Sequence, residues 1–355
     1  MHASGVAAEL GKLRPDFRLA GIGGPRLAAE GVELIESYDQ LAVMGLTEVI
    51  RHIPRHYALL RRVRERLRSG EVSLLVLIDY PGFNMRLAES AKEAGVPVLY
   101  YVTPQVWAWG AKRLPKLART VTRAAVILPF EEQLLRGYGI DAQFVGHPLL
   151  DGWDRLPTRD AARAELGIAS DATVLVLYPG SRTQEIKRHI EPFILTAQAL
   201  QKSHPGLQVI ISAAPSTETG YAKMPYPVVA APALTMFSAA DIALCKSGTT
   251  TLEAAIAGCP MAVAYRVGRL SYAIARRMVK IPHIGLVNIV AGREVAPEFV
   301  QDALDPEVVA AALGRLLTDK ALRRRTIEDL AEVRSKLGTP GASARVARMA
   351  IELIA

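Results

Sequence analysis

Short unbroken apolar runs recur along the chain, separated by stretches whose apolar positions fall three and four residues apart. Continuous runs suit parallel strands buried on both faces, and the three-and-four spacing suits amphipathic helices. Strands are therefore predicted at Phe17–Ile22, Ser73–Ile78, Val96–Val102, Thr122–Leu128 and Gln143–Val145, and again at 172–178, 207–213, 227–231, 241–245 and 261–265. Helices are predicted at Ser4–Leu13, over most of Asp39–Leu67, near 184–203, 232–240 and 249–257, and at Arg269–Lys280. Three more helices follow Asp305, divided near Lys320 and by Gly338, Pro340 and Gly341. Strands alternating with helices give an α/β protein. A helix precedes the first strand, where such a domain normally opens on a strand.

Length then divides the picture. A chain of 355 residues exceeds one ordinary core, and Asp151–Pro157 reads as the linker between two domains. Two cysteines, Cys245 and Cys259, exclude a disulfide framework and favour a reducing compartment. No CxxC or Cys/His cluster is present, so no metal site is expected. No signal peptide or membrane-length apolar run is read. The formal charge of +8 suits phosphorylated substrates or an anionic membrane surface. Nucleic acid is not expected, since no binding motif accompanies that charge. Two stretches pair an apolar face with a basic one, residues 45–67 and 269–280, and each reads either as a core helix with a solvated side or as a membrane-surface segment. Pro54 is expected to break or kink the first of them.

Candidate chemistry clusters at strand exits. Ser247–Pro260 is strand exit, small-residue turn, helix and glycine stop, in which Ser247, Gly248, Thr249 and Thr250 let a backbone approach a ligand. A diphosphate suits such a place, and the Glu253 carboxylate could accept bonds from ribose hydroxyls. An ordinary helix start accounts for the turn equally well. A second exit, Gly180-Ser181-Arg182, would place a guanidinium beside phosphate oxygens. Asp79 closes a central strand, where it is either a general base or a helix cap, and Asn84 could orient it or a substrate hydroxyl. Trp107 and Trp109 share one loop, which either lines a lipid or sugar site or simply packs.

Several segments match one family in order: GIGGPRLAAEG, LAVMGLTEV, IDYPGFN, YYVTPQVWAWG, LPFEE, FVGHPLLD, YPGSRTQEI, SGTTTLEAAIAGCPMAVAYR and LVNIVAGREVAPEFVQ. The chain resembles the lipid A disaccharide synthases, glycosyltransferases of the GT-B fold. The resemblance implies two Rossmann-like domains facing a cleft. Residues 1–150 would take the lipid acceptor, 151–325 the UDP-sugar, and 326–355 would hold C-terminal helices of which the last crosses back to the first domain. It implies an inverting transfer, requiring no metal and no cofactor, from UDP-2,3-diacylglucosamine to 2,3-diacylglucosamine 1-phosphate (lipid X). The product would be a β-1,6 disaccharide 1-phosphate, made at the inner face of the cytoplasmic membrane. Asp79, Asn84 and Arg182 would be catalytic. Gly180, Ser181, Arg182, Ser247, Gly248, Thr249, Thr250, Glu253, Asn288, Glu298 and Gln301 would bind the donor. Met44, Trp107 and Trp109 would lie on the acceptor side. A homodimer is compatible with this reading.

The family pattern opens with a strand and a Gly-Glu-x-Ser-Gly-Asp loop. Here Met1-His2-Ala3-Ser4-Gly5 begins within the helix that follows it. The expectation is therefore a first domain short of one parallel strand, through a start assigned too late or a real truncation. The alternatives are another UDP-sugar transferase acting on a lipid acceptor and a truncated, inactive binding protein. A nicotinamide-dependent enzyme is disfavoured, because Gly21–Gly24 lacks the full GxGxxG pattern.

Overall fold

The structure, a computed structural model, describes residues 2–37, 46–213, 221, 223–268, 272–273 and 281–354, with 46–53 and 153–154 described by backbone alone. The chain divides into two compact units, residues 1–151 with 338–355, and residues 152–337.

In the first unit α1 (His2–Leu13) leads to a two-stranded parallel sheet, β1 (Ala20–Gly23) and β2 (Glu33–Ser37), with the short α2 (Pro25–Ala28) between. The long α3 (Leu46–Arg68) carries Pro54 within it, so the proline does not divide the helix. Four parallel strands follow in the order β3-β4-β5-β6, at Leu75–Ile78, Val98–Tyr101, Arg123–Val126 and Ala142–Phe144. Between them run α4 (Pro81–Glu93), α5 (Leu114–Thr120) and α6 (Pro129–Arg136). Side chains alternate across a strand, and β4 shows the consequence. Val98 and Tyr100 join Leu59, Leu60 and Val63 of α3 with Leu87 and Ala88 of α4 in one core. Leu99 and Tyr101 join Val6 and Leu10 of α1 with Val346 and Met349 of the C-terminal helix, Ala342–Glu352, in another. That helix is capped by Asp151, whose carboxylate accepts from the amides of Gly341, Ala342 and Ser343 at 2.8, 3.0 and 3.3 Å.

The second unit is a six-stranded parallel sheet in the order β12-β11-β10-β7-β8-β9. In chain order its elements are α7 (Arg159–Leu166), β7 (Thr173–Tyr178), α8 (Thr183–Ser203), β8 (Leu207–Ser212) and β9 (Val228–Val229). Next come α9 (Ala233–Ala239), β10 (Ile242–Lys246), α10 (Thr250–Ile256), β11 (Met261–Tyr265), α11 (Leu286–Ala291), β12 (Glu298–Val300), α12 (Pro306–Thr318) and α13 (Lys320–Lys336). Leu175, Leu177, Ile242, Leu244 and Ala262 pack one face of the sheet under α8 and α12. The strand order reverses between β7 and β10, and the carboxyl ends at such a switch point form the usual ligand crevice of open parallel sheets.

Two strands had no counterpart in the sequence reading. β2 is edge-like and carries Glu33 and Glu36, and β12 has three residues. The described arginines of α3 are engaged: Arg55 and Arg62 with Glu36, Arg66 with Glu33, Arg61 with Glu65, Arg68 with Glu93 and Arg64 with Ser90. Of the Arg269–Lys280 helix, all but residues 272–273 lies outside the described residues.

Candidate functional site

In the second unit the exits of β7 and β10 meet through one carboxylate. Gly180 leaves β7 with φ +141°, and a Cβ there would stand 2.5 Å from Cβ of Glu185 and 2.9 Å from its Oε2. Only glycine lets the turn cross that side chain. Glu185 Oε2 accepts from the Ser181 amide at 3.1 Å. Its Oε1 accepts from Lys246 Nζ at 3.0 Å and from Arg182 Nη1 at 3.3 Å. Burial pushes the Glu185 carboxyl up, but the charge and hydrogen bond of Lys246, with the Ser181 amide and Arg182, outweigh it and leave the group below the usual carboxylate range. It is therefore anionic at neutral pH.

His189, fully buried, fixes the same corner. The Arg266 amide donates to its Nε2 at 2.8 Å, so Nδ1 carries the proton and donates to Glu185 O at 2.7 Å. Burial lowers the pKa of this imidazole, which matches the neutral tautomer.

The Ser247–Glu253 turn stands beside it. The Ser247 hydroxyl donates to Ile284 O at 2.7 Å, and Thr251 Oγ1 donates to Gly248 O at 2.8 Å. Thr249 is exposed and precedes α10 without a side-chain cap. Thr250 opens the helix, half-buried. Glu253 is half-buried, its pKa raised by burial, and its carboxylate has no hydrogen-bond or ion-pair partner among the described residues. A donor such as a ribose hydroxyl would complete it.

Asn288, Glu298 and Gln301 are occupied by the protein itself. Asn288 Oδ1 accepts from the Val295 and Ala296 amides at 2.8 and 3.0 Å, and Nδ2 donates to Ala296 O at 2.7 Å and to Glu298 Oε1 at 2.8 Å. That uses its full hydrogen-bonding capacity. Glu298 accepts from the Ile284 and Gly285 amides, both at 2.9 Å. Gln301, in the left-handed region at φ +56°, donates to Val267 O at 3.2 Å. Glu298, itself held by Asn288, thus fixes Ile284, the acceptor of the Ser247 hydroxyl, and Gln301 holds Val267 just beyond β11.

In the first unit β3 exits through two consecutive left-handed residues, Asp79 at φ +49° and Tyr80 at φ +43°. Such backbone persists where the surroundings over-determine it. Here Asn84 Nδ2 donates to the carbonyls of Asp79 and Ile78 at 2.7 and 3.1 Å, and the Tyr100 hydroxyl donates to Asp79 O at 2.9 Å. The buried Asn84 thus grips the main chain of Asp79, and the Asp79 side chain is exposed. β4 exits through another left-handed residue, the β-branched Val102 at φ +57°, which is a steric outlier. The loop beyond it carries Trp107, whose indole N–H donates to the buried Glu131 at 3.0 Å, and Trp109, which is exposed with Arg113 at 4.9 Å from its ring. Met44 lies outside the described residues.

Sequence reasoning missed Lys246, Glu185, His189 and Glu131. Lys246 had a readable signal, as the one charged residue closing the otherwise apolar strand Ile242–Lys246. Each of the others adds to its local bonds one long-range bond that no local pattern carries: Glu185 to Lys246, His189 to the Arg266 amide and Glu131 to Trp107. No group of three or more His, Cys, Asp or Glu able to hold a metal occurs among the described residues.

Two α/β units, each built on parallel strands, make a protein of the GT-B fold. The calicheamicin glycosyltransferase CalG4 is similar with a TM-score of 0.63 at 18% identity, over 99% of this chain and 94% of that one. A UDP-GlcNAc 2-epimerase from Neisseria meningitidis, solved with UDP-GlcNAc, is similar with a TM-score of 0.60 at 12% identity, over 99% of this chain and 95% of that one. At these identities the likeness is one of fold. The model of the lipid-A-disaccharide synthetase family matches residues 1–350. The lipid-A-disaccharide synthase of Anaeromyxobacter dehalogenans is 42% identical over 356 residues, spanning 98% of this chain and 92% of that protein. The chain belongs to the lipid-A-disaccharide synthetase family.

Proposed function

We propose that this protein is a lipid-A-disaccharide synthase. It transfers 2,3-diacylglucosamine from UDP-2,3-diacylglucosamine to lipid X, giving the β-1,6 disaccharide 1-phosphate and UDP with inversion at the anomeric carbon. Family membership along the whole chain carries this reading, and the strand-exit groups give it a chemistry. The acceptor 6-hydroxyl attacks C1 while Asp79 takes its proton. The bond from C1 to the diphosphate oxygen breaks, and its electron pair leaves on UDP. Arg182 meets the charge that grows there, and groups set in advance for developing charge contribute most to such a step. Glu253 accepts from the ribose. Asn84 acts through the main chain of Asp79, and Asn288, Glu298 and Gln301 act by holding the loop against which Ser247 is set.

The decisive experiment supplies both substrates and follows UDP release. Wild-type protein is expected to turn over, and Asp79→Asn to lose about 10²–10⁴-fold in kcat with UDP affinity kept. Full turnover by the variant would remove Asp79 from the chemistry.

Both substrates carry acyl chains, and no helix among the described residues is long and apolar enough to cross a membrane. We infer association with an anionic membrane surface, which the net charge of +8 favours. Flotation with anionic vesicles at low salt tests it, and protein left at the bottom of the gradient counts against it.

A further inference from the structure

We propose that Lys246 is a second diphosphate-binding cation, held ready by Glu185 and directed at the leaving phosphate alongside Arg182. The proposal rests on the transferase reading above and assigns a residue that reading does not use.

Three observations carry it. Lys246 and Arg182 both donate to one oxygen, Glu185 Oε1, at 3.0 and 3.3 Å. One negative charge therefore restrains two positive ones, and the corner keeps a surplus positive charge. His189 adds none, being locked as the neutral tautomer between Glu185 O and the Arg266 amide. The Arg266 guanidinium turns away to the carbonyls of Gln301 and Leu304, both at 3.4 Å. Second, Lys246 is placed by a rigid element. It ends β10 at the reversal of strand order, and its side chain is 18% exposed against 65% for Arg182. A half-buried ammonium is screened less than an exposed guanidinium and is set with less loss of freedom. Third, Nζ lies against the turn that opens α10. A Cβ on Gly248 would stand in van der Waals contact with Lys246 Nζ, at 3.7 Å, and Gly248 holds φ +155°, a backbone that L side chains rarely adopt, so the ammonium sits beside a backbone free of side chain.

In the transfer step Lys246 gives up no proton. As the C1–oxygen bond breaks, the electron pair passes to the diphosphate, and the ammonium shifts its hydrogen bonds from Glu185 to that oxygen. Glu185 keeps its bond from the Ser181 amide and recovers the lysine when UDP leaves. It is a positioning residue.

A lysine that serves only to brace β10 against α8 would leave the same ion pair, so the test separates phosphate binding from bracing. UDP and uridine are titrated calorimetrically into wild type, Lys246→Met and Lys246→Arg, with a melting curve for each. The expected result is a loss of about 10-fold or more in UDP affinity for Lys246→Met, as for a lost charge-assisted hydrogen bond. Uridine affinity is unchanged, and the arginine variant regains most of the loss. The dependence of UDP affinity on salt is shallower in Lys246→Met. A Lys246→Met protein with the wild-type ratio of UDP to uridine affinity overturns the proposal, as does equal loss of both ligands. Should Lys246→Met fail to fold, Lys246→Gln, which keeps a donor without the charge, decides in its place: a UDP to uridine affinity ratio about 10-fold lower and falling less steeply with salt sustains the proposal, and a wild-type ratio overturns it. Wild-type protein that binds neither ligand overturns the transferase reading itself, an outcome distinct from failure at Lys246 alone.

Discussion

The exit of β3 stores strain at two adjacent residues. A non-glycine residue in the left-handed region costs roughly 1–3 kcal/mol, and Asp79 and Tyr80 both occupy it. What holds them is the pair of bonds from Asn84 and Tyr100 onto the Asp79 carbonyl. The return is a carboxylate presented to solvent from a backbone that cannot relax. Tyr80→Gly tests this, because glycine takes φ +43° without steric cost and the ring it removes is 53% exposed. The expected outcome is an unfolding free energy raised by up to about 1 kcal/mol, with kcat lowered as Asp79 loses its fixed direction. A variant both less stable and equally active would mean that the strain serves nothing. Asp79 was legible as an acid at the end of an apolar run. Its left-handed backbone was not, since neither Asp79 nor Tyr80 is a glycine, and the grip of Tyr100 spans 21 residues.

At the scale of elements, helix α6 holds the loop that follows β4. Glu131, in its first turn, accepts from the Leu128 amide at 3.0 Å, which satisfies an orphan donor at the helix start. Its other oxygen takes the Trp107 indole N–H, and the Trp107 ring meets Phe130 edge to face at 5.3 Å. In the sequence LPFEE and PQVWAW stand as two separate segments, and nothing local joins them across 24 residues. Burial pushes the Glu131 carboxyl up to about 7 from 4.5, against the opposing bonds from Leu128 and Trp107. The folded state therefore binds this proton more tightly than the unfolded one. The stabilisation is complete below about pH 4.5 and is lost as pH rises through about 7. The unfolding free energy from urea titrations, wild type minus Glu131→Gln, should accordingly fall between pH 5 and 8, by roughly 3 kcal/mol at most. Trp107 emission should shift over the same window in wild type and stay constant in the variant. A pH-independent difference would show that Glu131 is ionised throughout.

For the whole molecule, the alternation of apolar runs and amphipathic stretches made most parallel strands readable, because a strand buried on both faces has no polar positions to confuse it. The failures were at sheet edges. β2 and β12 carry acids, and those acids do the binding: Glu36 and Glu33 to the arginines of α3, Glu298 to the segment after β11. The basic face read on α3 is thus partly an internal charge seam, a fact invisible until β2 is placed beside it. The same division into two sheets has a thermodynamic consequence. Each unit has its own apolar cores, so a single unfolding step for the whole chain is not required. The groups assigned to UDP all stand on the second unit. A ligand raises the stability only of what it binds when folded, by about 2.7 kcal/mol at a hundred times its Kd. Calorimetric scans with UDP at that excess should therefore move one of two transitions upward, by about 5–10 °C for a unit of this size, and leave the other in place. The assignment of units is checked by Asp151→Ala, which removes the cap of the C-terminal helix and should lower only the transition that UDP leaves unmoved, by about 0.5–2 kcal/mol. One transition that UDP shifts as a whole would show that the two sheets unfold as a single cooperative body.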